Sequence, residues 1–195
     1  MSSCSPSSLM ETLTDLHQQS FHWALACCQH QETDALDLLQ EAYLLVLEDR
    51  VQYLGKSTVK TWFFGVIKSL AFQKGRRFKR RLKLLQTAFS AHHPTLSLTS
   101  GYRQESPRSA QPNEHLEVQE RHTQITQALK TLSNRQQRIM HLVFYQGCTL
   151  EECAQILEIT IGSVRTHYAR AKKKLAHTLN DLNPSFIRTE RASTL

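Results

Sequence analysis

The sequence predicts an all-α protein made of two small helical domains joined by a flexible linker, the second with a helix-turn-helix. Hydrophobic residues recur at helical spacing in several segments, whereas few segments show the β-branched alternation typical of strands. The chain has only six glycines in 195 residues and is 40% hydrophobic, which suits helical packing. Residues 86–115 hold three of the five prolines among Ser, Gln, His and Asn, as linkers do. We therefore expect domains at 10–85 and 116–182.

Two amphipathic helices are expected to open the first domain. One spans Leu13 to Cys28 and turns a broad apolar face inward. The next lies within residues 31–50, which carry six acids and one base. Its predicted inward residues are Leu38, Leu39, Ala42, Leu45 and Val46. Its predicted outward residues are Asp37, Gln40, Glu41 and Glu48. This acidic face is either an ordinary solvated surface or a docking surface.

The charge changes sign abruptly after the acidic helix. No Asp or Glu occurs from Val51 through Gln104, and seven cations cluster between Lys74 and Lys83. The segment TWFFGVIKSLAFQ precedes this cluster, and aromatic rings beside cations suit single-stranded DNA, which offers a base to stack on and a phosphate to neutralise. Aromatic residues at helical spacing are more often core, and we expect Trp62 and Val66 to be buried. Three aromatics are left open between core packing and base stacking: Phe63, Phe64 and Phe72.

In the second domain, local signals mark where helices begin and end. Ser133 is placed to cap a helix N-terminus, and Gly147 is placed to end that helix in left-handed geometry. Thr149 and Glu152 have the spacing of a capping box, so the next helix is predicted to start there. The predicted inward residues of this helix are Leu150, Ala154 and Leu157.

After an interruption at 158–160, a second apolar face continues at helical spacing. Its residues are Val164, Tyr168, Ala171 and Leu175. No acid occurs from Ile159 to Asn180, and the other faces carry several cations. A short helix, a turn and a basic second helix is the form of a helix-turn-helix, whose second helix lies in the major groove of DNA. The alternative is an ordinary solvated helix face.

Bulk composition favours a polyanionic partner and argues against several classes of protein. The net charge of +7 and pI of about 9.3 predict binding that weakens steeply with salt. Five cysteines without a CxxC pair make a disulfide framework unexpected, and the ten histidines show no closed zinc-site spacing, so no metal or cofactor is expected. No segment resembles a signal peptide or a membrane span, which predicts a cytoplasmic protein without membrane insertion. No phosphate loop or catalytic constellation is present, so no enzymatic activity is expected.

Three stretches in this order resemble the extracytoplasmic-function group of bacterial RNA polymerase sigma factors, group 4 of the sigma-70 family. DLLQEAYLLV at 37–46 is similar to region 2.2, and KTWFFGVIKSLAFQKGRR at 60–77 is similar to regions 2.3 and 2.4. LSNRQQRIMHLVFYQGCTLEECAQILEITIGSVRTHYARAKKKL is similar to region 4. The similarity covers about residues 10–85 and 116–180, which is most of the chain outside the linker and ends.

The resemblance implies partners and contact residues. The chain would contact core RNA polymerase at the β′ clamp helices and at the β flap. It would also bind promoter DNA, in both duplex and melted form. Many family members bind an anti-sigma factor as well. The implied clamp-binding residues are Asp37, Gln40 and Glu41. Those implied at the minus-10 element are Trp62, Phe63, Lys68, Ser69, Gln73, Arg76 and Arg77. Those implied at the minus-35 element are Ser163, Arg165, Thr166, His167, Arg170, Lys172, Lys173 and Lys174.

Three positions depart from the family pattern. Ser69 stands where region 2.3 usually has Asn, and Gln73 stands where the family usually has Asp four residues later. His167 stands where region 4 usually has Arg. These side chains face bases rather than the core in the implied arrangement. The resemblance therefore leaves the promoter preference of this chain open.

The predicted function is a sigma factor that binds core polymerase and directs initiation at a subset of promoters. A stand-alone helix-turn-helix regulator that binds duplex operators is the alternative, since VRTHYARAKKKL also resembles the DNA-binding end of such activators. An acidic helix followed by an aromatic and basic helix favours the sigma factor, because a sensory domain does not need that order.

Overall fold

The computed structural model describes residues 6–89 and 123–182, with side chains for 8–81 and 123–181. Within these ranges the chain forms α-helices and one π-helical turn and contains no strand, which confirms the all-α prediction. The first half contains α1 (Pro6–Asp15), α2 (His17–Cys27), α3 (Glu32–Leu47) and α4 (Val59–Phe89). The second half contains α5 (described over 123–130), α6 (Asn134–Met140), the π turn (His141–Tyr145), α7 (Leu150–Leu157) and α8 (Ile161–Leu182).

The segment from Leu13 to Cys28, predicted as one helix, contains the end of α1 and the whole of α2. Leu16, with φ −85° and ψ 0°, separates α1 from α2. The interruption is small, because the Leu16 N–H still bonds Thr12 O at 3.1 Å and the Ser20 N–H bonds Leu16 O at 2.8 Å. No proline or glycine marks the break in the sequence, so periodicity alone predicted a continuous helix.

Most of the inward face predicted for α3 is confirmed. Leu38, Leu39, Ala42 and Val46 are buried, and Ala35 joins them one turn earlier. Leu45 is only half-buried.

The inward face predicted for α4 is confirmed in part, because Trp62 and Val66 pack against the core from its edge. Trp62 and Val66 are half-buried, whereas Phe63, Phe64 and Ile67 are fully buried. Apolar residues occupy nearly every position from 62 to 67, so the sequence allows more than one inward face. The helix turns the face with two phenylalanines into the core, and Trp62 packs on Tyr53 with ring centroids 5.4 Å apart.

The helix boundaries predicted in the second half are confirmed. Ser133 forms a capping box with Gln136, and Thr149 forms one with Glu152. Gly147 has φ +65°, the left-handed geometry that glycine adopts without steric cost.

The inward faces of α7 and α8 were predicted with different success. On α7, Leu157 is buried but Leu150 and Ala154 are half-buried, and the fully buried residues are Cys153 and Ile156. On α8 the predicted face is confirmed. Val164 and Ala171 are fully buried, with Tyr168 and Leu175 packed at the edge.

The two halves pack against each other and share one hydrophobic core. The main cluster joins Trp23, Phe64 and Ile67 from the first half to Leu142 and Ile156 from the second. A smaller cluster of Leu132, Met140 and Ala171 lies within the second half. α4 runs to Phe89, past the predicted domain end at residue 85, and residues 90–122, with most of the predicted linker, lie outside the described residues. The two halves are therefore held together by direct packing of their side chains.

Candidate nucleic-acid interface

The outer face of α3 combines acids with exposed leucines. Asp37 and Gln40 are exposed, and Glu41 pairs with Lys74 of α4 at 2.9 Å. Leu44 and Leu47 are 53% and 61% exposed, and Leu36 lies two turns before Leu44 on the same stripe. Sequence reasoning missed these leucines. Among the residues of α3 that do not face the core, these leucines recur at helical spacing, which is the signal that could have found them. An exposed apolar stripe with an acidic rim is typical of a protein-binding surface.

The second half of α4 presents aromatic rings and cations to solvent. Phe72 and Phe78 are 56% and 67% exposed, and the Arg76 guanidinium lies over the Phe72 ring, 5.5 Å from its centroid. Gln73 and Arg77 are exposed on the same segment. The side chain of Lys83, the last cation of the predicted cluster, lies outside the described residues. Exposed rings beside cations can stack on bases and neutralise phosphates.

The first half of α4 is less accessible than the sequence implied. Phe63 is fully buried against Tyr43, with ring centroids 5.2 Å apart, so it is a core residue in this conformation. Trp62 is half-buried. Lys68 and Ser69 face the second half of the chain, where both contact the Glu158 carboxylate.

The basic face of α8 is open to solvent. Arg165, Thr166 and Arg170 are exposed, as are Lys172, Lys173 and Lys174. Arg165 lies 3.4 Å from Glu151 of α7, and the Lys172 ammonium lies 5.6 Å from the centre of the Tyr168 ring.

The two remaining predicted residues on α8 lie partly inside the fold. Ser163 shares a 2.8 Å hydrogen bond with Thr160 at the start of the helix, and His167 is half-buried. α7, the turn at 158–160 and α8 form the predicted helix-turn-helix.

The part of the chain that the structure describes has no cluster of three or more potential metal ligands and no helix able to span a membrane. Cys27, Cys28, Cys148 and Cys153 are free thiols, and burial raises the pKa of Cys27 and Cys153 to about 12. Thiols with so high a pKa hold little thiolate at neutral pH, and these two cysteines serve as packing residues.

His141 is a neutral histidine between the two halves. Its ring packs on Trp23 at 5.8 Å and on Tyr145 at 5.1 Å. The Gln146 amide N–H donates to Gln19 O and to His141 Nε2, each at 3.2 Å, so Nε2 must be an acceptor. Burial, with His30 and His22 nearby, lowers the pKa of His141 from 6.5 to about 4.

Acid should therefore destabilise the protein through His141. Between pH 6.5 and 4 the unfolded chain binds this proton and the folded chain does not, so stability is fully present above pH 6.5 and falls below it. The loss approaches about 1.4 kcal/mol per pH unit in that window. Urea unfolding at pH 7 and pH 5 should show a smaller pH dependence for His141→Phe than for the wild type. Equal pH dependence would contradict the assignment.

Known proteins share sequence similarity with this chain. Residues 122–175 match the model of Sigma-70, region 4. The chain is 26% identical over 167 residues to the ECF RNA polymerase sigma factor SigM of Mycobacterium tuberculosis, covering 86% of this chain and 75% of that protein. It is 25% identical over 177 residues to the RNA polymerase sigma factor SigV of Bacillus subtilis, covering 90% and 94%. The chain is therefore similar to extracytoplasmic-function sigma factors over most of its length.

A solved structure shares the fold of this chain. It is RpoE of Bartonella quintana, which was crystallised with the anti-sigma factor NepR. The TM-score is 0.61 at 20% identity, and the match covers 88% of this chain and 96% of RpoE. The region 4 match runs from α5 to Leu175 of α8, and the curated relatives extend the similarity over the half that contains α3 and α4.

Proposed function

We propose that this chain is a sigma factor that binds core RNA polymerase and directs initiation at a subset of promoters, without catalysing a reaction of its own. The observation that carries this is the region 4 match on a helix-turn-helix whose second helix keeps its cations exposed. A stand-alone operator-binding regulator does not account for the relatives, which match 85–90% of this chain and are all named as sigma factors. The domains at 10–85 and 116–182 are its two functional halves, and it acts in the cytoplasm.

The α3 face is the docking surface for the β′ clamp helices. Asp37, Gln40 and Glu41 supply polar and acidic contacts, and Leu44 and Leu47 supply apolar area that loses water on binding. Such a patch is expected to bury its leucines at the centre and leave its acids at the rim. Exposed Phe144 and Tyr145 on the π turn are the corresponding apolar contact for the β flap.

The exposed part of α4 is the surface for the minus-10 element. Phe72 can stack on an unpaired base, and Arg76 and Arg77 can neutralise the adjacent phosphates. Gln73 can accept and donate hydrogen bonds at a base edge. Lys68 and Ser69 join this surface only when Glu158 of the second half releases them. Trp62, which packs on Tyr53, borders the surface.

The early turns of α8 are the minus-35 reader. Arg165, Thr166 and Arg170 project from one exposed side, where a helix in the major groove meets base edges. Ser163 and His167 border this side. The later lysines, Lys172 to Lys174, contact phosphates and set position rather than sequence preference.

Reconstitution with a bacterial core polymerase tests the function. The complex should initiate at discrete positions on a library of linear templates, whereas core polymerase alone should not. A chain that shifts duplex DNA as a stable dimer but does not alter initiation would support the regulator instead. A restraining partner, comparable to the anti-sigma factor seen with RpoE, would lower initiation when added to the same assay.

Two substitutions on α8 should separate base reading from phosphate binding. Arg165→Ala should weaken use of the preferred minus-35 sequences by about 1–3 kcal/mol and relax discrimination at one position. Lys173→Ala should weaken all sequences alike and reduce the salt slope of binding by about 1. Initiation from the template library at several salt concentrations measures both effects. A sequence-dependent loss with Lys173→Ala would contradict the division of roles.

A further inference from the structure

The middle of α4 leaves the body of the protein. α4 is one helix from Val59 to Phe89, but its last buried residue is Leu70. Every side chain from 72 to 81 is exposed, and a Cβ added at Gly75 would meet no atom within 4 Å. We call residues 72–81 the α4 extension. Its surface is accessible to a partner on all sides.

The α4 extension is strongly basic and carries an apolar side. Its exposed cations are Lys74, Arg76, Arg77, Lys79, Arg80 and Arg81. Like charges four residues apart on a helix repel each other, as Arg76 and Arg80 do here. Phe78 lies three residues after Gly75 and seven after Ala71, so these residues share one side of the helix. A partner with acids around an apolar surface would relieve the repulsion and cover Phe78.

The outer face of α3 has the opposite charge and a similar layout. Leu36, Leu44 and Leu47 form its exposed apolar stripe. Glu41 precedes Leu44 by three residues and Glu48 follows it by four, so both acids neighbour this leucine on the helix surface. The α3 face is therefore an apolar stripe with an acidic rim. The α4 extension is an apolar stripe with a basic rim.

The two surfaces lie next to each other on the same molecule. The Glu41 carboxylate is 2.9 Å from Lys74 Nζ, and the two side chains are 40% and 43% exposed. A partner on this side therefore meets acids and cations together. A nucleic acid would be attracted to the α4 extension, but the acids of α3 would repel it and the leucines would stay in water. A partner that covers both surfaces needs one acidic and one basic apolar face.

We propose that the free chain self-associates as a two-fold dimer, in which the α3 face of each copy packs on the α4 extension of the other. A two-fold axis near the Glu41–Lys74 pair repeats each contact and so doubles the buried area. The net charge of +7 opposes association of whole chains. At physiological salt, however, exposed charges more than about 8 Å apart are largely screened, so the complementary charges at the contact dominate.

The dimer covers surfaces that the proposed function assigns to polymerase and DNA. A second copy and core polymerase would therefore compete for α3, and this consequence rests on the proposed function. The self-association itself does not. It is a property of the free chain that can be measured without polymerase or DNA.

Sedimentation of the full-length chain over a range of concentrations, with a thiol reductant present, tests the dimer. The wild type should shift from monomer to dimer as its concentration rises. Asp37→Arg and Arg80→Glu should each weaken self-association at least about tenfold, because each places two like-charged contacts in a symmetric dimer. Both residues are exposed, so circular dichroism melts should match the wild type. Glu11→Arg on α1 should dimerise like the wild type.

An equimolar mixture of Asp37→Arg and Arg80→Glu is the decisive sample. In a mixed dimer one contact has both charges exchanged and the other is wild type, so both contacts are attractive. The mixture should therefore recover dimers that neither variant forms alone. Failure of the mixture to recover them would overturn the proposal. A wild type that stays monomeric, yet binds a short oligonucleotide through Arg80, would also overturn it and assign the α4 extension to nucleic acid.

Transcription separates the dimer from the proposed function. If the charge-exchanged mixture dimerises but no form of the chain directs initiation with core polymerase, the dimer stands and the proposed function fails. If the wild type directs initiation but the mixture does not dimerise, the dimer is wrong and the proposed function stands. If both hold, added core polymerase should convert the wild-type dimer to a one-to-one complex.

Discussion

Asp37→Arg should reduce promoter-directed run-off transcription at least about tenfold, because it replaces an acid with a base on the acidic surface proposed to meet the polymerase clamp helices. Asp37 is exposed on α3, so the fold should tolerate the change. The substitution should also reduce capture of core polymerase by the tagged chain to the same extent. Initiation and capture fall together because assembly precedes DNA opening.

Glu11→Arg is the matched control for this experiment. It makes the same reversal of charge on the exposed surface of α1, outside the docking face. It should capture polymerase and support run-off transcription at the wild-type level. Polymerase capture and run-off transcription by Leu44→Ala should lie between those of the two charge-reversal variants, because this change removes apolar contact area without adding a charge. Normal capture by Asp37→Arg would place the docking surface elsewhere on the chain.

Trp23→Ala should destabilise the protein more than any surface change. The side chain is fully buried, its indole N–H donates to Phe64 O at 3.0 Å, and its ring packs on Phe64 and on His141 of the second half. Truncating a buried tryptophan costs about 3–5 kcal/mol, a large part of the roughly 5–15 kcal/mol that stabilises a typical domain. The urea midpoint should fall accordingly.

Trp62→Ala makes the same chemical change at a half-buried position on α4. Its effect on the urea midpoint should be clearly smaller, because less apolar area returns to water when the side chain is removed. Equal losses for the two tryptophans would mean that Trp23 does not bridge the core as the structure shows.

Local signals predicted those parts of the fold that neighbouring residues determine. The capping boxes at Ser133 and Thr149 and the turn at Gly147 depend on side chains within three residues of a helix end. The inward face of α8 was predicted because polar residues surround a single apolar stripe. α4 has apolar residues on several sides, so its inward face depended on packing. The sequence pattern left Phe63 open and the resemblance implied a DNA contact, but Phe63 lies in the core.

The sequence by itself determined the helical class, the segregation of acids onto α3 and cations onto α4 and α8, and the resemblance to a sigma factor. The helical class and the segregation of charge follow from composition and from spacing within one or two helical turns, and the resemblance rests on three stretches of sequence in a fixed order. Only the tertiary structure decided that the two halves share a core and that Glu158 contacts Lys68 and Ser69. The Ser69 and Glu158 positions are 89 residues apart, and each reads alone as an ordinary polar surface residue. A contact between residues so distant in the chain cannot be predicted from hydrophobic periodicity, because it depends on how the helices pack against one another.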